Sequence, residues 1–244
     1  MSGRAMADAD FSRRSTMPEL MDTEETGYED FRQCLRHLAL VNRLTLAHRP
    51  TLDWMERAIA RAPGRPLNIL DAGSGYGDML RAIHRWAARR GVEVRLTGID
   101  LNRWSADAAR EAIPAGAGID YVTGDLFAYQ PSQPPDIILS SLFAHHLDDA
   151  ALVRFLRWMD ATARIGWFVN DLRRSRAAHA LFGIGTALAP WHRFIRQDGL
   201  TSITRAFVEE DWKRLLQQAG IADARAEICR RFPYRLCVGA FTSG

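Results

Sequence analysis

From Tyr28 to about His48 the apolar residues Phe31, Leu35, Leu38, Val41 and Leu44 return every three or four positions, the spacing of one face of an amphipathic helix. A second helix is predicted after Pro50, with Leu52, Met55, Ala58 and Ile59 on its apolar side; Pro63, Gly64 and Pro66 then break the chain. From Leu67 the pattern changes. LNILD, VEVRLTGID, GIDYVTGD, DIILSS and IGWFVND read as strands, and helical stretches at Gly77 to Arg90, Arg103 to Ala112 and Asp148 to Ala163 separate several of them. Short β-rich runs alternating with helices are what parallel strands with right-handed crossovers require. The alternation is interrupted between Leu172 and about Phe207. It resumes with the helix EEDWKRLLQQAG, whose Gly220 suits a C-cap, and ends with ARAEICR and PYRLCVGAF. The short link through Phe232 and Pro233 predicts an antiparallel hairpin, since parallel strands need a long crossover.

This reading divides the chain into a poorly ordered segment 1–27, a helical cap 28–63 and a main domain 64–244 with an insert at about 172–207. Residues 1–27 show little periodicity and are expected to carry little fold information.

Composition narrows the class. The chain has 244 residues, 47% apolar and 25% charged, the balance of a soluble globular protein with one substantial core. Its apolar runs fall well short of the roughly 20 residues of a membrane span. The N-terminal stretch lacks the apolar core of a secretory signal, so a cytoplasmic location and no membrane partner are expected. Cys34, Cys229 and Cys237 are too scattered for a disulfide framework and are read as buried thiols. The net charge is +3 and Lys213 is the only lysine, with arginines interleaved among acids. That distribution does not provide the footprint of phosphate-backbone binding, so no nucleic-acid partner is expected. A monomer or homodimer is the default assembly.

The candidate chemistry begins at ILDAGSGYGDML, Ile69 to Leu80, where an acid and three glycines stand between a predicted strand and helix. Ligands of open α/β sheets bind beyond the carboxyl ends of strands, glycine lets a ligand approach bare backbone, and the following helix offers free N–H groups. The dinucleotide pattern G-x-G-x-x-G needs glycine at position 78, where this chain has Asp78. The spacing here is Asp71, Gly73, Gly75, Gly77, and an acid beside the glycines suits an ammonium better than a pyrophosphate.

With these motifs the sequence resembles the class I S-adenosylmethionine-dependent methyltransferases, over about Leu67 to Phe241. The resemblance implies a doubly wound α/β fold: a mostly parallel, seven-stranded, Rossmann-like sheet with a C-terminal antiparallel hairpin and an N-terminal helical cap. It implies that Asp71, Gly73, Ser74, Gly75 and Gly77 embrace the methionine part of S-adenosylmethionine. Asp100 is implied to accept from the ribose hydroxyls, Leu101 and Asn102 to flank the adenine, and Gly124, Asp125 and Leu126 to meet its edge and face. Singly, Asp100 also reads as a helix cap and Asp125 as a turn acid.

The acceptor region is expected past the strand DIILSS. Ser140 is assigned to the cofactor side, and His146 or His145 is the candidate base for a phenolic or enolic acceptor. Asp171 is expected to orient a substrate group or to pair with Arg173. Ser140, Asn170 and Asp171 offer too few oxygen ligands for magnesium, so no metal is expected. In the insert, Phe182, Trp191, His192, Phe194, Arg196 and Arg205 are candidates for the substrate cover. The stretch from PELMD to VNRL, followed by RPTLDWM, resembles the helical cap of bacterial small-molecule methyltransferases often associated with polyketide or phenolic products. It implies that Asn42, Arg43 and His48 help close the pocket. The expected activity is methyl transfer to an oxygen of an aromatic or polyketide-like small molecule, with carbon or nitrogen acceptors as alternatives. A nicotinamide-dependent oxidoreductase and a cofactor-binding module without turnover are the rivals.

Overall fold

A computed structural model describes residues 9–24, 27–61, 64–114, 116–188 and 191–242. Residues 1–8 and Pro63 lie outside them. The strands β1 (Leu67–Ala72), β2 (Val94–Asp100), β3 (Ile119–Thr123), β4 (Ile137–Ser141), β5 (Gly166–Leu172), β6 (Ala226–Arg231) and β7 (Arg235–Phe241) form one sheet in the order β3-β2-β1-β4-β5-β7-β6. β1 to β5 pair in parallel, and β7 runs antiparallel between β5 and β6. The predicted hairpin is therefore present. It closes the sheet with its second strand innermost.

Period-two alternation divides the core between two faces. Leu70 and Ala72 of β1 join Trp167 and Val169 of β5 against helices α6 (Asp149–Thr162) and α9 (Glu209–Ala219), where Phe155 and Trp212 are buried. Leu67 and Ile69 join Phe168 on the opposite face, against α3 (Arg49–Ile59) and α4 (Asp78–Arg90). Helix α5 (Ser105–Glu111) follows β2 and contributes Ala106 and Ala109 to that second cluster.

The expected helical cap is not one unit. Trp54 of α3 stacks on Phe168 at 5.3 Å and on Phe241 at 4.9 Å, and Asn170 of β5 donates to the carbonyl of Ala47 at 2.7 Å and to Thr51 Oγ1 at 3.0 Å. α3 thus belongs to the layer that covers the sheet. Only α2 (Tyr28–Leu44) stands above the carboxyl ends of the strands, with Cys34 packed against Phe194 and Ile195.

The interrupted segment forms two helices, α7 (Arg176–Ala187) and α8 (Arg193–Arg205). They approach closely where the Phe182 ring occupies the space a side chain at Gly199 would need. Residues 9–24 correct the expectation of a poorly ordered start. Arg14 ion-pairs with Asp149 at 2.8 Å and donates to the carbonyl of Leu147. The single-turn helix α1 (Leu20–Thr23) is started by Asp198 of α8, which accepts from the Leu20 and Met21 N–H groups at 2.8 and 3.0 Å. A distant carboxylate thereby supplies the cap that Glu19, with no side-chain cap bond, does not. No helix among the described residues is long and apolar enough to cross a membrane.

Candidate active site

The glycine turn after β1 is tied to the end of β2. Gly73 and Ser74 donate to the Ile99 carbonyl at 2.9 and 3.1 Å, and Gly75 N–H donates to Asp100 Oδ2 at 2.8 Å. Asp100 Oδ1 accepts from Asn102 N–H at 2.9 Å. One carboxylate thus joins the two loops that bound the cavity floor. The glycines serve different purposes. A Cβ at Gly75 would meet nothing within 4 Å, so bare backbone borders open space there. Gly77, with φ at +69°, lies against the Tyr121 hydroxyl, which would collide with any side chain.

Asp71 is buried at the end of β1, and its Oδ1 has no hydrogen-bond partner among the described residues. Burial, then the neighbouring charges of Asp78 and Asp100, push its carboxyl well above the usual aspartate range. Burial would raise Asp78 too, but His48 at 2.6 Å and Asn42 at 3.1 Å from its Oδ2 outweigh that and hold it low. An orphaned acid in a field of two more acids is a place where a cation is stabilised.

Above this floor a cavity of about 1010 Å³ extends from Gly73, Ser74, Gly75, Asp100, Leu101, Asn102, Gly124, Asp125 and Leu126 to the face of α2 and the insert. Leu101 is 76% exposed at its rim, unusual for leucine. Asp125 accepts from Phe127 N–H at 2.9 Å, so it is also the turn acid of its loop. Trp191 and Phe182 border the far end together with His145 and His146, and Asn42 lies at the floor, where it donates to Asp78.

Residues 69–166 match the family model described as a methyltransferase domain. Residues 69–166 are thus similar to a methyltransferase domain, and the sheet order is that of the class I fold. In its solved neighbours the fold recurs at low identity: a plantazolicin methyltransferase in complex with SAH is 12% identical, covers 92% of this chain and 96% of its own, and has a TM-score of 0.63. Among curated proteins, a trans-aconitate 2-methyltransferase of Streptomyces avermitilis is 32% identical over 47% of this chain and 42% of its own length. A non-reducing polyketide synthase of Penicillium shearii is 30% identical over 64% of this chain and 7% of its own. The chain thus spans less than half the length of either curated relative.

Not every expected residue faces the cavity of this methyltransferase domain. Asp71 and Gly77 lie behind the glycine turn, and Ser140 is buried with its Oγ unpartnered, leaving Ser141 and Leu142 at the wall. Phe194 is core, packed under α2, because its helix turns that face inward. Arg205 holds backbone, donating to the carbonyls of His145, His146 and Met17 at 3.0, 2.8 and 2.7 Å. Arg43 is absent from the wall, and His192 pairs with Asp30 at 2.9 Å.

Asp171, expected to orient a substrate group or to pair with Arg173, pairs with His145, whose Nδ1 stands 2.7 Å from its Oδ1. Burial would lower the His145 pKa, but Asp171 and Glu19 outweigh it and push it up to about 9. That direction favours the charged imidazole over the neutral base expected of it. His146 is 24% exposed, with Nδ1 3.0 Å from Asp22 Oδ2.

Sequence reasoning missed Glu19, Asp22, Ser202 and Arg235, all on the cavity wall. Arg235 is 3% exposed at the start of β7, and its Nη1 has no hydrogen-bond partner among the described residues. The one available signal was PELMD, where two acids bracket apolar Leu20 and Met21 in an otherwise polar stretch.

Proposed function

We propose that this chain transfers a methyl group from S-adenosylmethionine to an anionic oxygen, phenolate or enolate, of a small acceptor. The supporting observation is one cavity that joins the acid and glycine floor to a far end lined by Trp191, Phe182, His145 and Arg235. The residues present fit the cofactor: Gly75 leaves bare backbone open, Asp100 presents a carboxylate to the cavity, and the unpartnered Asp71 favours positive charge nearby. When bound, S-adenosylmethionine supplies an electrophilic methyl group on a sulfonium.

The remaining work falls to the protein. Asp100, fixed by two backbone N–H groups, accepts from the ribose, and Leu101 and Leu126 cover the adenine. The Asp71, Asp78 and Asp100 carboxyl groups favour the cofactor's positive end over its neutral product. At the far end the Arg235 Nη1 donor and the protonated His145 stabilise the acceptor as an oxyanion, which is the nucleophilic form. His146, less buried, takes the acceptor proton on this reading. Apolar walls from α2 and the insert exclude water and align the acceptor oxygen.

A panel of phenols, β-dicarbonyl enols and carboxylic acids incubated with protein and S-adenosylmethionine tests this by mass spectrometry of S-adenosylhomocysteine and methylated product. A methyl ether from a phenol or enol is expected. Absence of S-adenosylmethionine binding in calorimetry, or methylation confined to carbon or nitrogen, would overturn the reading.

A further inference from the structure

Two imidazoles and one carboxylate converge at the far end of the cavity. Glu19 from the N-terminal segment, and His145 and His146 from the turn after β4, each offer a ligand atom, and those atoms lie within 4.8 Å of one another. His145 Nε2 is 3.5 Å from Glu19 Oε1 and His146 Nε2 is 3.8 Å from Glu19 Oε2. These separations exceed an N–H···O hydrogen bond. They are close to the roughly 3.3 Å expected between ligands that share a tetrahedral ion at bond lengths of about 2.0–2.1 Å.

We propose that Glu19, His145 and His146 form a binding site for a first-row divalent transition cation of the Zn²⁺ type. The supporting shell carries the argument further than the three ligands alone. Each imidazole points Nε2 at the common centre because its Nδ1 is held by a carboxylate: His145 by Asp171 at 2.7 Å, His146 by Asp22 at 3.0 Å. Ser202 Oγ donates to Glu19 Oε1 at 2.7 Å and fixes the third ligand. A carboxylate behind each ligating histidine sets the tautomer and raises its basicity, which is the usual outer shell of a metal site. Arg14 and Arg205 are near, and both are engaged by backbone carbonyls of the turn.

Mixed nitrogen and oxygen donors select zinc, cobalt, iron or manganese over magnesium and calcium, which prefer all-oxygen sets. Binding would release the His145 Nε2 proton to solvent and leave coordination positions open toward the cavity. There, on the methyltransferase reading above, the cation would bind the acceptor hydroxyl and lower its pKa, the task otherwise given to His146. Cation binding itself does not depend on that reading.

The test uses the full chain, treated with a chelator and titrated separately with Zn²⁺, Co²⁺ and Mg²⁺ by calorimetry, with the visible spectrum recorded for Co²⁺. One Zn²⁺ or Co²⁺ per chain is expected, with the intense visible bands of a low-coordinate cobalt site and no comparable Mg²⁺ binding. His146→Gln, at the least buried ligand, is expected to abolish binding while circular dichroism stays unchanged, and Asp22→Asn to weaken it about 10- to 100-fold. No stoichiometric binding by the wild type, preference for Mg²⁺, or unchanged binding by His146→Gln would each overturn the site. S-adenosylmethionine titrated into the same chelated protein keeps a failure here separate from a failure of the cofactor reading.

Discussion

His145 Nδ1 and Asp171 Oδ1 face each other across 2.7 Å, with both side chains buried, at the junction of the β4 turn and the end of β5. Asp171 also accepts from the backbone N–H groups of His145 and Leu172. Removing it leaves the buried imidazole with only Glu19, 3.5 Å away, as counter-charge, and two N–H groups without acceptors. Asp171→Ala is therefore expected to cost about 3–5 kcal/mol of folding stability, the range for breaking a buried pair. Urea unfolding measures it, and a loss below about 1 kcal/mol would show the pair to be incidental.

Asp100 ties Gly75 to Asn102 and is proposed to hold the cofactor ribose. Asp100→Ala is expected to weaken S-adenosylmethionine binding by about 1.5–3 kcal/mol, as for hydrogen bonds to a charged group. Unchanged affinity in calorimetry would reject the assignment.

Arg235, a cavity-wall residue whose buried Nη1 has no partner among the described residues, is proposed to hold the acceptor oxyanion. Arg235→Met is expected to raise the acceptor KM about 10- to 100-fold, equivalent to one lost charged hydrogen bond, and to leave cofactor affinity unaltered. Steady-state kinetics beside calorimetry separates the two. Equal loss of both would point to a general structural role.

Asp136, fully buried at the start of the β4 side of the sheet, accepts from Arg65 at 2.6 and 2.9 Å and from Asn68 N–H at 2.9 Å. Burial raises its pKa, but Arg65 and the Asn68 N–H outweigh this and hold it below the ordinary 3.8. A depressed folded pKa means that its stabilisation is complete above the unfolded value and is lost as pH falls through the folded one. Asp136→Asn should therefore destabilise the protein at neutral pH and flatten the acid limb of a stability–pH curve. A mutant curve parallel to the wild type would refute the linkage.

The sheet was legible from residue order because its signals are local. Period-two apolar runs in β1 and β5, the Gly220 C-cap and the short link before β7 each follow from backbone sterics within a few residues. The same holds for Asp71, Gly73, Gly75 and Gly77, and for Asp100, where spacing alone places an acid or a bare backbone at the end of a strand. The two helices of the insert were less legible, since small and aromatic residues blur their apolar face. Trp54 carried no label that would assign α3 to the sheet layer instead of the cap.

What the sequence determined by itself was the doubly wound frame and the acid and glycine floor, because these depend on propensity, periodicity and turn stereochemistry. Tertiary structure alone decided the far end of the cavity. Glu19 reaches His145 and His146 because a helix almost 180 residues later holds it, Asp198 capping the turn that follows it and Ser202 donating to its carboxylate. Arg235 borders the same cavity because β7 slots between β5 and β6. Such convergence rests on contacts between remote segments, whose closure cost is repaid by packing that no local pattern encodes.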